Sequence, residues 1–149
     1  MRMAGFRIVE PPSAVIQHDA GPRSDWLFYY QIRNRWHFML KNYQAATLVL
    51  LLPCLLVHEL LQAVVLHAKG YGLVYWKAVG GLLAMLPTLS RDRAMARRIR
   101  VVSDARLLHA DPLIVRADLA GGGLGRIVKD AYDGWLRAYW SVVRRLLPS

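Results

Sequence analysis

The clearest pattern along the chain is a long apolar stretch in its middle third. Residues 45–57 contain no charged side chain, and the apolar run resumes at residues 60–66 after His58 and Glu59. If residues 45–68 are helical throughout, they extend roughly 36 Å at 1.5 Å per residue. That length is enough to cross the hydrocarbon core of a bilayer.

A second apolar stretch follows and predicts that the chain turns back. Residues 69–72 read Lys-Gly-Tyr-Gly, a sequence typical of a turn, and residues 73–89 then carry Lys77 as their only charge. Together the two stretches predict an apolar, membrane-associating helical hairpin over residues 45–89. It either crosses the membrane twice or dips in and returns.

Amphipathic helices are predicted on both sides of this hairpin. Residues 25–44 carry apolar and aromatic side chains at three- and four-residue steps, a face that is more often protein core than a membrane contact. Residues 90–120 form a basic cytoplasmic segment, and residues 121–125 form a glycine linker. Residues 126–149 predict a second amphipathic helix, rich in aromatic and basic residues, which either lies in a membrane interface or packs back on the protein.

The N-terminal segment, residues 1–24, has a different pattern. Residues 6–9 alternate as a short strand does, and residues 14–16 form a second short apolar run. Two isolated strands do not make a stable sheet, so this segment is expected to be the edge of a larger unit. The predicted fold class is therefore mainly α, with a short N-terminal β remnant.

The composition supports this interpretation, because the charged and the apolar residues occupy different stretches of the chain. The 149 residues are 55% hydrophobic and still carry a net charge of +10, with one cysteine. These values exclude a disordered chain and a disulfide scaffold. Since the basic residues flank the hairpin, the positive-inside rule places both flanks on the cytoplasmic side of a membrane. No nucleic-acid motif accompanies the charge, which favours membrane lipid over nucleic acid as partner.

One polar group interrupts the hairpin and resembles a metal motif. His58, Glu59 and Gln62 stand where the zinc motif H-E-x-x-H would have two histidines and a glutamate. Gln62 is a poor zinc ligand, so a polar notch between two helices is favoured over an intramembrane metalloprotease. No nucleophile–base pair or paired carboxylates can be assembled elsewhere, and no catalytic residue is predicted in this chain.

The N-terminal third also contains an ordered series of residues. The series is Gly5-Phe6-Arg7-Ile8, Pro12, Ala14, His18, Gly21, Tyr30, Arg33-Asn34 and Lys41-Asn42-Tyr43. Its order and spacing closely resemble the C-terminal end of bacterial family 2 glycosyltransferases of GT-A type, especially the rhamnosyltransferase-like group. The hairpin, its Lys69-Gly70 turn and the arginine-rich segment also match, so the resemblance covers about residues 3–108.

This resemblance implies roles for a few residues. His18 is expected beside a divalent metal ion, Mg²⁺ or Mn²⁺, and the diphosphate of a nucleotide-sugar donor. Arg33 and Asn34 match a pair that either contacts an acceptor phosphate or supports the start of the helix. The family's nucleotide-binding units, D-x-D metal motif and acidic general base all precede the segment that matches Gly5. The chain is therefore expected to be a C-terminal fragment without activity of its own.

Two functions follow, from different classes. The first is the C-terminal membrane-associating portion of a glycosyltransferase that transfers a sugar from a nucleotide sugar to a lipid-linked or glycan acceptor in cell-envelope polysaccharide synthesis. The second is a stand-alone, non-catalytic, membrane-associated protein.

Overall fold

A computed structural model describes residues 1–9, 11, 13, 15, 17, 25–109 and 123–147. Within these residues the chain is 77% helical and contains no β-strand, which confirms the mainly α fold class. A 3₁₀ turn at Arg2–Ala4 precedes six helices: α1 Asp25–Asn42, α2 Ala45–Ala68, α3 Gly72–Leu83, α4 Leu86–Arg98, α5 Asp104–Leu107 and α6 Gly123–Val143.

The start of the chain is attached to the segment that follows α4. The backbone N–H groups of Val101 and Val102 both donate to the carbonyl of Met3, at 2.9 and 3.1 Å. Residues 6–9 have no regular secondary structure, and residues 14–16 lie only partly within the described part of the chain. A strand needs a hydrogen-bonded neighbouring strand, and the described residues contain none; the Phe6 N–H donates instead to the Met1 carbonyl at 3.3 Å. The origin of this segment in a larger sheet stays a prediction.

The core forms where α1 crosses α3 beside the end of α2. Its buried residues are Phe28, Ile32, Leu66, Tyr75 and Ala78. The amphipathic face predicted for residues 25–44 therefore serves mainly as protein core, since Ile32 and Met39 are buried. Trp26 departs from that prediction, because 62% of its side chain is exposed.

A glycine lets α1 and α3 approach closely, and its neighbour provides a matched control. A Cβ atom added at Gly81 would lie 2.3 Å from Oη of Tyr29 and 3.2 Å from Cδ of Arg33, whereas one added at Gly80 meets nothing within 4 Å. We expect Gly81→Ala to destabilise the fold by about 1–3 kcal/mol through overpacking. Gly80→Ala is expected to stabilise it by roughly 0.5–1 kcal/mol through helix propensity. Thermal unfolding of both variants in detergent checks this, and equal shifts would contradict the close approach.

The second arm of the predicted hairpin is bent. The axes of α3 and α4 meet at 63° across the break between Leu83 and Leu86. Pro87 stands in the first turn of α4. There its missing N–H costs nothing, whereas in a continuous helix its ring would clash with the preceding turn. Residues 73–89 are thus one short helix and the start of another.

The last helix begins earlier than the glycine pattern predicts. Residues 121–125 were expected to be a linker and residues 126–149 a helix, but α6 starts at Gly123. Each helical glycine costs about 1 kcal/mol relative to alanine, and the amphipathic face of α6 offsets this cost by packing. That face contacts α2, where the Tyr139 hydroxyl donates to the Leu50 carbonyl at 2.5 Å.

The junction between α1 and α2 is held by side chains from α4 and the segment after it. Arg93 donates to the carbonyls of Leu40 and Tyr43, and Arg100 donates to that of Asn42. These are carbonyls at the C-terminal end of α1, which lack partners within the helix. Part of the predicted basic segment is therefore structural.

Asp104 completes this junction. Its carboxylate, which is 1% exposed, accepts from the Gln44 backbone N–H at 2.7 Å and pairs with the Arg100 guanidinium at 2.8 Å. It thereby fixes the residue that precedes the first turn of α2.

Candidate functional site

The polar residues of α2 are brought together by one arginine from α1. Arg35 donates to Nε2 of His58 at 3.0 Å, to Oε1 of Gln62 at 2.5 Å and to Oε2 of Glu59. The three residues singled out in the sequence therefore lie in one cluster, where two helices meet. We call Arg35, His58, Glu59 and Gln62 the polar notch.

Aromatic side chains close this notch on several sides. The Trp36 indole N–H donates to Oε2 of Glu59 at 2.7 Å. The Tyr132 ring of α6 lies 6.3 Å from the His58 ring. Oε2 of Glu59 thus accepts from one cation and one neutral donor.

The geometry of the notch favours an internal ion pair over a metal centre. Oε1 of Gln62 and Nε2 of His58, the atoms that would face a metal, are both within hydrogen-bond distance of Arg35. An arginine cation in that position repels a metal ion. In the part of the chain that the structure describes, no three His, Cys, Asp or Glu side chains come together as a metal site.

Arg33 and Asn34, the other predicted site residues that the structure describes, interact with each other and with an aromatic ring. The Arg33 guanidinium donates to the Asn34 side-chain oxygen at 2.9 Å and lies 4.7 Å from the centre of the Tyr30 ring. This arrangement orders Arg33 along α1. His18 lies outside the described residues, so its contact with Mg²⁺ or Mn²⁺ stays a prediction.

The second candidate surface is the outer face of α2. Its members are exposed apolar side chains one helical turn apart: Val49, Leu52, Leu56, Leu60 and Val64. At 100° per residue they lie opposite His58 and nearly opposite Gln62 of the same helix, whereas Glu59 stands at the edge of this face, about 20° from Leu52. The most apolar window of α2 has a mean hydropathy of 2.2, and none of it is buried inside the protein. α2 is the one helix among the described residues that is long and apolar enough to cross a membrane by itself.

Sequence reasoning missed the residues that complete the notch. Arg35 and Trp36 stand 24 and 23 residues before Glu59, and no periodic pattern links them to it. The available signal was a single unpaired acid in an apolar helix. Such an acid requires a cationic partner elsewhere, but the sequence does not say which of the flanking arginines supplies it.

No protein-family model, curated protein or solved structure matches this chain.

Removing the acid of the notch should leave a partly buried cation without a partner. The Arg35 and Glu59 side chains are 27% and 15% exposed, so we expect Glu59→Ala to cost about 2–3 kcal/mol of unfolding free energy. Replacing both charges in an Arg35→Met/Glu59→Leu variant is expected to recover most of that loss, because no charge is left unpaired. Chemical unfolding followed by circular dichroism checks this. A double variant as unstable as Glu59→Ala would contradict the pairing.

Proposed function

We propose that this chain is the membrane-associating C-terminal portion of a glycosyltransferase and holds the catalytic domain at the cytoplasmic face of a bacterial inner membrane. In this role α2 inserts in the bilayer and the basic flanks stay at its surface. The single observation that supports membrane insertion is the outer face of α2. This face is apolar over the length of a membrane span, and no other part of the described protein covers it.

The placement of the polar notch supports this proposal. A lone glutamate at the centre of a span is costly, and intramembrane charges face a bundle interior and pair there. Glu59 is paired with Arg35 of α1, while the outer face of α2 is apolar from Val49 to Val64. This is the arrangement expected of a lipid-facing helix that packs on one side.

The positions of the basic flanks support both ends lying on one side of the membrane. Arg93 and Arg100 follow the hairpin, yet they hydrogen-bond to carbonyls at the end of α1, which precedes it. Lys41 lies in that same last turn of α1. Lys41 from before the apolar segment, and Arg93 and Arg100 from after it, therefore gather at one end of α2, as the positive-inside rule requires of a cytoplasmic surface.

The glycosyltransferase part is supported by the ordered residues between Gly5 and Tyr43. The resemblance to family 2 glycosyltransferases implies a nucleotide-sugar donor and a lipid-linked or glycan acceptor for the whole enzyme. It also implies a divalent metal ion held with His18. Sequencing the genomic DNA upstream of the Met1 codon tests it. We expect the open reading frame to continue upstream and to encode a D-x-D motif and an acidic residue that serves as general base. An in-frame stop codon directly upstream would contradict the glycosyltransferase origin.

A stand-alone, non-catalytic membrane protein is the second candidate. The notch favours this second candidate. Its polar side chains hydrogen-bond to one another, and no nucleophile–base pair is formed there among the described residues. The same upstream stop codon would support this candidate.

A further inference from the structure

A basic cleft lies at the end of α2 where the cations gather. Its volume is about 240 Å³, and it is formed between the α1–α2 junction and α4. Its charged lining residues are Lys41, Arg93, Arg97 and Arg100. None of the described residues that line it carries a carboxylate.

The charges of this cleft are not balanced from within the described residues. Arg100 is neutralised by Asp104, which is buried behind the cleft. Lys41, Arg93 and Arg97 have no ion-pair partner in the described part of the chain. Three like charges around one small opening repel one another, and an anion placed between them removes that repulsion.

The donors of the cleft match the acceptors of a phosphate group. The Arg93 guanidinium holds the α1 carbonyls through two of its five N–H groups, which leaves three for a ligand. Burial, together with the charge of Asp104, raises the pKa of Tyr43, so its phenol stays protonated beside the cleft. Gln44 and Ala45 also line the cleft, at the first turn of α2, which has no side-chain cap. The N–H groups of an uncapped first turn favour anions.

We propose that this cleft binds a phosphate group. The group is either the phosphate of a lipid at the membrane surface or a free phosphate ester, and the chemistry of recognition is the same for both. The position favours the lipid, because the cleft borders the residue where the apolar span begins, which is the depth of lipid headgroups. The inference depends on the cleft itself and not on a glycosyltransferase origin.

The experiment uses the full chain in neutral detergent micelles at physiological ionic strength, with ³¹P NMR as the readout. One arm titrates phosphatidic acid into the micelles, and the other titrates inorganic phosphate. We expect a saturable shift of the phosphatidic acid resonance. Saturation with inorganic phosphate as well would mean that a free phosphate group is sufficient, which also supports the proposal. Absence of saturation in both arms with the wild-type chain would overturn it.

Paired variants locate the binding. Lys41→Ala/Arg97→Ala removes two cleft cations that hold no other group, and binding should weaken by about 10-fold or more. Arg91→Ala/Arg98→Ala removes the same charge from exposed positions on α4 outside the cleft. Its effect should stay below about 2-fold, because these two side chains do not line the cleft and salt weakens the interactions of exposed charges. Equal losses in the two variants, or displacement of phosphate by oleate at equal concentration, would overturn a phosphate site at the cleft.

Discussion

Replacing both Leu56 and Leu60 with aspartate is expected to release the chain from bilayers. The two side chains are 56% and 66% exposed on the outer face of α2, near the middle of the helix. An aspartate at the centre of a span costs about 3 kcal/mol more than a leucine, so the pair costs roughly 6–8 kcal/mol of insertion free energy. Flotation of the chain with liposomes on a density gradient measures the loss.

The control for this variant places the same charges on exposed apolar side chains outside the span. Ile99 and Val101 are 55% and 73% exposed in the segment after α4. Ile99→Asp/Val101→Asp should float with the liposomes as the wild-type chain does. If the two double variants float equally well, the outer face of α2 does not insert.

Asp104→Ala is expected to cause the largest loss of folding stability among single substitutions. It leaves the Arg100 guanidinium, which is 13% exposed, without a counter-ion, and it leaves the Gln44 backbone N–H without its acceptor. Removing one partner of a buried pair costs about 3–5 kcal/mol. Because a domain is stable by only about 5–15 kcal/mol, a large part of the population should unfold in mild denaturant.

An exposed aspartate provides the comparison for this substitution. Asp130 lies on the exposed side of α6, so Asp130→Ala removes the same charge and should change stability by less than about 0.5 kcal/mol. Unfolding of both variants in detergent, followed by circular dichroism, gives the difference. Equal midpoints would show that Asp104 does not hold the α1–α2 junction.

The helices were largely predictable because their patterns are local. The apolar run at residues 45–68 predicted α2 to within its observed ends, and the turn at residues 69–72 predicted where the chain reverses. The bend before α4 was signalled by Pro87, but a proline fits both a kink within one helix and the start of another. The start of α6 at Gly123 was missed because helix propensity is a weak preference that packing overrides.

The candidate site was predictable only in part, because its contacts are long-range. His58, Glu59 and Gln62 stood out as polar residues within an apolar helix. Their partner Arg35 and the junction residue Asp104 looked like ordinary charged residues in basic segments. They acquire their roles because the long Arg35 side chain reaches from α1 to α2 and because the chain after α4 returns to the start of α2.

Insertion of α2 is tested most directly by measuring how deep its outer face lies. A nitroxide label at Leu56→Cys, in a chain whose single cysteine is removed by Cys54→Ala, reports the local access of oxygen and of a water-soluble nickel complex in liposomes. A label at Arg98→Cys, at an exposed position near the end of α4, gives the reference for water. We predict high oxygen and low nickel access at position 56, as in the hydrocarbon core. Nickel access equal to that at position 98 would contradict a membrane-inserted α2.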